Sequence, residues 1–212
     1  MSKLREIFIS MSRTKKIGLV PGSFKPYHAG HDGLVRLASI ENDEVLLFVS
    51  LSERTGLGEF PLYSERMKEV WEKYLEEGLR SYRNVKVIYV PTPVGAIYHE
   101  LESHEDRDNV VYSIYSDADD IKKYTDASFT KYAPRLFDAG KIIRRGVERT
   151  DTVNVSGTEM RKMMLRGDFE GFSKNLPDNV RAHAEEIWKT LTGGVTQQQI
   201  EASWETKKTK KK

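Results

Sequence analysis

The chain has 212 residues, 34 basic and 32 acidic, for a formal net charge of +2 at pH 7. That length suits one α/β domain with a full core, and the balance is too even for a general nucleic-acid binder, whose domain would be clearly basic. With no cysteine, disulfides, thiolate metal sites and cysteine nucleophiles are excluded, and no apolar run nears the roughly 20 residues that cross a bilayer. The absence of cysteine also fits the cytoplasmic location expected here.

Residues 1–14 read as an extension. Ile7-Phe8-Ile9 is too short for a secretory core, and the fold is expected to begin near Lys16, which makes Met11 an alternative start. Lys16 to Val20 is the first strand, apolar after its lysines and therefore central and parallel. Leu34, Val35, Leu37 and Ala38 mark a helix from about His31 to Ile40. Between them lies Gly22-Ser23-Phe24-Lys25-Pro26-Tyr27-His28-Ala29-Gly30-His31. Strand, tight loop and helix start form the place where an α/β fold puts a phosphate. Imidazoles can donate to phosphate oxygens, and Gly30 leaves no side chain between the two rings, so a ligand can reach the backbone there.

Glu44 to Leu51 is a second strand, closing a right-handed βαβ unit. The loop Ser52-Glu53-Arg54-Thr55-Gly56-Leu57-Gly58 leaves its carboxyl end, where open α/β sheets line their ligand crevice. Arg54 is a candidate anion contact there, and a plain surface loop is the alternative. Ser64 is expected to cap the next helix, with Met67, Val70, Trp71 and Tyr74 as core and Arg66 as a solvated surface arginine. Val85 to Val90 is a third strand, ended by Pro91-Thr92-Pro93. Residues 94–102 look helical, and Asn109 to Tyr115 is the fourth strand.

Asp117, Asp119 and Asp120 follow. Such oxygens suit Mg²⁺, but capping of a helix starting near Ile121 by Asp117 or Asp119 is the preferred reading. Phe129 to Phe137 is a short irregular or helical piece, and Lys141 to Arg144 a fifth strand. Arg145 and Arg149 come next. Arginine grips phosphate with a planar fork of donors, although such residues often only pair with surface acids. Ser156-Gly157-Thr158 opens another helix with Ser156 as N-cap; a cap does not explain Arg161 one turn in. Gly167-Asp168 ends that helix. A short helix at Phe169 to Leu176 and a longer one through Val180, Ala184, Ile187, Trp188 and Leu191 pack back on the domain, which is expected to span 15–192. Residues 193–212 form a tail: Thr196 to Trp204 could add a helix, and the Lys207–Lys212 end reads as disordered. Without its five lysines the body would be slightly acidic. No internal repeat or linker is evident.

The Gly22–His31 stretch resembles the first signature, Gly-x-Phe-x-Pro-x-His-x-Gly-His, of the HxGH nucleotidyltransferase superfamily, and is closest to its adenylyltransferase branch, which includes nicotinamide-mononucleotide adenylyltransferases. Val155-Ser156-Gly157-Thr158-Glu159-Met160-Arg161 is similar to the second signature, Ser-x-Thr-x-x-Arg at the start of a late helix. The resemblance covers residues 16–180. Either block alone is weak; the pair, in order and each in its strand–loop–helix context, is specific.

The resemblance implies a Rossmann-like open, mainly parallel five-stranded sheet with helices on both faces and a C-terminal helical extension. It also implies attack by a small phosphorylated acceptor on the α-phosphate of a nucleoside triphosphate, with release of pyrophosphate. His28, His31 and Arg161 would be catalytic. Gly22, Ser23, Phe24, Lys25, Gly30, Ser156 and Thr158 would hold the nucleotide, and Ser116 and Asp117 would border it, with Arg54, Arg145 and Arg149 as further substrate contacts. Mg²⁺ would be held mainly by the nucleotide phosphates, with no protein metal site. ATP and nicotinamide mononucleotide are the first choice of substrates, nucleic acid and membrane are not expected as partners, and a homo-oligomer is compatible. The alternatives are a cytidylyltransferase using CTP and a sugar or polyol phosphate, for which Phe24-Lys25-Pro26 is the less typical loop; a class I aminoacyl-tRNA synthetase fragment, which lacks its Lys-Met-Ser-Lys-Ser block here; and a non-catalytic nucleotide-sensing or DNA-binding module using the basic tail.

Overall fold

A computed structural model describes residues 13–148, 155–195, 198–200 and 202. The first strand forms as β1 (Lys15–Gly22), in which Ile17 to Pro21 are all buried. That is what a continuous apolar run implies for a strand covered on both faces. The helix after it is α1 (Ala29–Glu41), and the remaining strands are β2 (Glu44–Ser50), β3 (Val85–Val90), β4 (Val110–Asp117) and β5 (Ile142–Val147). They form one five-stranded parallel sheet in the order β3-β2-β1-β4-β5. Leu19 is in register with Leu46 on one side and Ile114 on the other. The strand order therefore reverses at β1, the topological switch beside which open α/β sheets bind ligands, and the carboxyl end of β1 runs directly into the Gly22–His31 stretch.

The helices beyond α1 are α2 (Ser64–Val70), α3 (Pro93–Ser103), α4 (Asp126–Tyr132), α5 (Pro134–Asp138), α6 (Gly157–Arg166), α7 (Phe169–Lys174) and α8 (Ala184–Thr192). A π-type segment, Trp71–Leu75, continues α2 and ends in a last α turn, Glu76–Leu79. None of the described helices is long and apolar enough to cross a membrane.

The chain divides into two compact units. One is drawn from Met1–Gly22, Leu34–Val49 and Asn84–Glu148, the other from Ser23–Gly33, Ser50–Arg83 and Arg149–Lys212. The first holds the sheet. Its core joins Ile17, Leu19, Leu46 and Phe48 to Ile97 and Leu101 of α3 and to Phe129 and Leu136 of α4 and α5. Gly18 has a steric reason there: a Cβ would lie 2.9 Å from Nδ2 of Asn42. That amide donates to the Ala38 carbonyl and to the Tyr115 hydroxyl, each at 2.8 Å.

Several local expectations are corrected. Ser116 and Asp117 belong to β4, not to a turn after it, because pairing with Gly146 and Val147 of β5 carries the strand on. The helix expected near Ile121 is a 3₁₀ turn, Asp120–Lys123, whose preceding residue Asp119 makes no side-chain cap; Asp117 instead accepts from the Asp119 N–H at 3.0 Å. Ser64 is the first residue of α2 and not its cap; the cap position is Tyr63. Phe129 to Phe137 resolves into α4 and α5, broken at Ala133-Pro134. Residues 1–12, Arg149 and the Lys207–Lys212 tail lie outside the described residues.

Candidate active site

Apart from Gly22, both sequence motifs fall in the second unit. Phe24 is the one described non-glycine residue at positive φ, at 48°. The left-handed region costs a residue with a side chain about 1–2 kcal/mol, and burial of the ring offsets this. The Phe24 ring meets His31 edge-on at 4.9 Å and lies 5.8 Å from Tyr27 and 6.0 Å from Trp71. It forms the floor under the second histidine. Tyr27 donates to Asp32 at 3.2 Å, Tyr82 donates to the other oxygen of Asp32 at 2.8 Å, and Tyr27 also packs on Trp71 at 5.2 Å. Burial, then Asp32, pushes the Tyr27 phenol well above its usual range, so it stays a neutral donor.

His28 and His31 stack with ring centroids 3.6 Å apart and planes 25° apart. The His28 carbonyl accepts from the N–H groups of His31 and Asp32, which starts α1. The His28 Nδ1 accepts from the Gly30 N–H at 3.2 Å. In the neutral ring the proton is thereby on Nε2. The Ala29 N–H donates to the Asn175 carbonyl at 2.9 Å, which ties the start of α1 to the end of α7.

The second motif reaches the first through Arg161, which is 5% exposed. Its NH1 donates to the Lys25 carbonyl, its NH2 to Thr158 Oγ1 at 3.0 Å, and its Nε to Glu59 Oε2 at 2.6 Å. Ser156 caps α6 as expected, accepting from the Glu159 N–H at 3.1 Å. Gly157 shows how closely the two stretches approach: a Cβ there would lie 2.8 Å from the backbone oxygen of Lys25. Gly157→Ala is expected to force the loops apart and lower stability by about 1–3 kcal/mol. An unchanged thermal midpoint would count against this close approach.

Lys25 is 5% exposed and donates to Ser52 at 2.7 Å and Ser50 at 3.4 Å. Burial, followed by the charges of Arg54 and Arg161, lowers its pKa to about 8. Arg54 stands at an antiparallel bridge with Leu62, its Nε 3.9 Å from Glu59 Oε2. Arg54 and Arg161 thus flank one carboxylate, Glu59, and the charge of each of these arginines also acts on Lys25. Among the described residues no three His, Asp or Glu side chains gather to hold a metal ion.

Other sequence candidates lie elsewhere. Gly22 ends β1. Ser116, Asp117 and Arg145 belong to the sheet unit, where Arg145 Nε lies 3.7 Å from Glu41. Arg66 is not the solvated surface group expected; its NH1 donates to the Leu191 and Thr192 carbonyls and so closes the C-terminal end of α8. Glu59, Ser52 and Asn175 are residues of this site that sequence reading missed.

No protein-family model matches the chain, and no curated protein does either. Solved structures do. A Vibrio parahaemolyticus protein assigned as a nicotinate-nucleotide adenylyltransferase aligns over 83% of this chain and 96% of its own, at a TM-score of 0.50 and 15% identity. A bifunctional NMN adenylyltransferase/ADP ribose pyrophosphatase from Francisella tularensis aligns over 85% of this chain at a TM-score of 0.54 and 15% identity, and this chain spans 53% of that protein. The likeness is one of fold, α/β and Rossmann-like.

Proposed function

We propose that the chain transfers the adenylyl group of ATP to the phosphate of a small acceptor such as nicotinamide mononucleotide, releasing pyrophosphate. The observation that carries the proposal is the meeting of the two motifs, with Arg161 bonded to the Lys25 carbonyl of the loop that holds the stacked His28 and His31. The adenylyltransferases of the same fold support the choice of substrates.

In this reaction an acceptor phosphate oxygen forms a new bond to the α-phosphorus. The bond from that phosphorus to the bridging oxygen breaks, and pyrophosphate leaves with the electron pair. The nucleophile is already anionic, so no proton has to be removed. The protein must position two anions and stabilise charge on the phosphoryl oxygens. His28 and His31 would donate to oxygens near the α- and β-phosphates, His28 through Nε2–H. Thr158 and Arg161 would hold the β- and γ-phosphates. Ser23, Gly30 and the Gly22–Phe24 amides would line the loop, with Lys25 as an added cation and Ser156 keeping the α6 end in place. Ser116, Asp117, Arg54, Arg145 and Arg149 stay in the proposal as further substrate contacts. The donors beside the histidines are nitrogen and cationic, which suits phosphate oxygens and not a resident metal ion. Mg²⁺ enters with the triphosphate as part of the substrate, since it keeps much of its water and needs few protein ligands.

The test is pyrophosphate release across four nucleoside triphosphates and a set of phosphorylated acceptors. The proposal expects release with ATP and nicotinamide mononucleotide; preference for CTP with a sugar or polyol phosphate would move the chain to the cytidylyl reading.

Lys25 gives the binding step a pH signature. Its folded value of about 8 lies below its ordinary 10.5, so in the absence of ligand the fold gains stability as pH rises from 8 toward 10.5. A bound polyphosphate favours the ammonium and acts in the opposite sense. ATP affinity is therefore expected to be fullest below pH 8 and to fall above it by up to about tenfold per pH unit. Lys25→Met should flatten that slope in calorimetric titrations; an equal slope in the variant would remove Lys25 from the ligand's surroundings.

A further inference from the structure

Arg161 meets its proposed ligand already neutralised. The Glu59 carboxylate holds its Nε at 2.6 Å, and the two side chains are 17% and 6% exposed respectively. The same carboxylate oxygen lies 3.9 Å from Arg54 Nε. An anionic oxygen between two guanidiniums is the setting expected of a phosphate oxygen, and here the protein's own carboxylate provides it.

The backbone around Glu59 is pinned. The Phe60 N–H donates to the Arg161 carbonyl at 3.2 Å, and paired bonds between Arg54 and Leu62, at 2.9 and 2.8 Å, close the base of the loop. Beside the carboxylate there is room. A Cβ on Gly56 would meet only Glu59 Oε2, at 4.0 Å. The carboxylate can rotate about its side-chain bonds into that space while the loop stays anchored. Were it to remain beside Arg161 as a phosphate arrived, two anions would stand at contact distance on the same guanidinium, which is unfavourable.

We propose that Glu59 is an internal stand-in for phosphate, holding Arg161 in the unliganded protein and turning away when a polyphosphate takes its place on the guanidinium. This rests on the polyphosphate reading of the preceding section. The unliganded cluster is thereby kept in order, and each binding event must first break the Glu59–Arg161 pair.

The test is a calorimetric titration of inorganic tripolyphosphate into the full chain and into Glu59→Gln. Glutamine keeps the size of the side chain and an acceptor for Arg161 Nε, but removes the charge. The variant is expected to bind about tenfold more tightly, the weight of one charged contact no longer displaced. Should Glu59→Gln not fold, Glu59→Asp decides by the same comparison, because the shorter carboxylate reaches Arg161 less well and should also bind more tightly than the original. Equal or weaker binding in the variant, with binding retained in the original protein, overturns the stand-in role and leaves Glu59 as a residue that merely positions Arg161. Absence of tripolyphosphate binding in every form overturns the polyphosphate reading along with it.

Discussion

Turnover of the His31→Ala variant is expected to fall by about 100-fold or more, the loss seen when one preorganised donor is removed from a developing oxyanion. His31 stands on the Phe24 ring at 4.9 Å and stacks on His28 at 3.6 Å. Its imidazole is held by packing before any ligand arrives and needs no reorganisation at the moment of reaction. His28→Ala should cost a similar factor, and the double variant much less than the product of the two, as expected of residues acting as a unit. The effect should appear in single-turnover rates, with a smaller change in ATP affinity, because the gain lies in the transition state. Near-normal turnover in His31→Ala would remove the histidine pair from the chemistry.

The second large effect concerns Arg161. Arg161→Met should lower stability by about 3 kcal/mol, the cost of breaking a nearly buried pair from one side. The change would strand the Glu59 carboxylate and leave the Lys25 carbonyl and Thr158 hydroxyl without their donor. Adding Glu59→Gln to that variant should recover most of the stability, because the stranded charge is then gone. It should not recover turnover, which needs the guanidinium. Thermal or denaturant unfolding of the two single variants and the double variant separates these contributions. A double variant that regains both properties would reduce Arg161 to a structural partner of Glu59.

Much of this was legible in the sequence. The continuous apolar runs at Ile17–Val20 and Val45–Val49 give central strands, the first motif stands in the strand–loop–helix setting its residues suggest, and the second opens a helix capped by Ser156. What escaped was long-range. Glu59 carries no periodic signal in a glycine-bounded loop, and its partner Arg161 is 102 residues away. Arg66 reads as a surface arginine because its acceptors, the Leu191 and Thr192 carbonyls, belong to the backbone of a helix more than a hundred residues later. Ser116 and Asp117 look like a turn because they are polar, whereas ladder pairing with β5 decides their conformation. The π-type segment at Trp71–Leu75 has no local sequence mark. The two compact units were equally hidden, since each is assembled from three separated segments and no linker divides them.

The central claim, that the histidine loop and the Thr158–Arg161 turn together perform adenylyl transfer, is tested most directly by following label from ATP carrying a marked α-phosphate in the presence of nicotinamide mononucleotide. The account predicts that the label moves into the acceptor in step with pyrophosphate release, and that the transfer is nearly lost in His31→Ala. ATP that binds while its label reaches no acceptor, or transfer that proceeds equally well in His31→Ala, would contradict it.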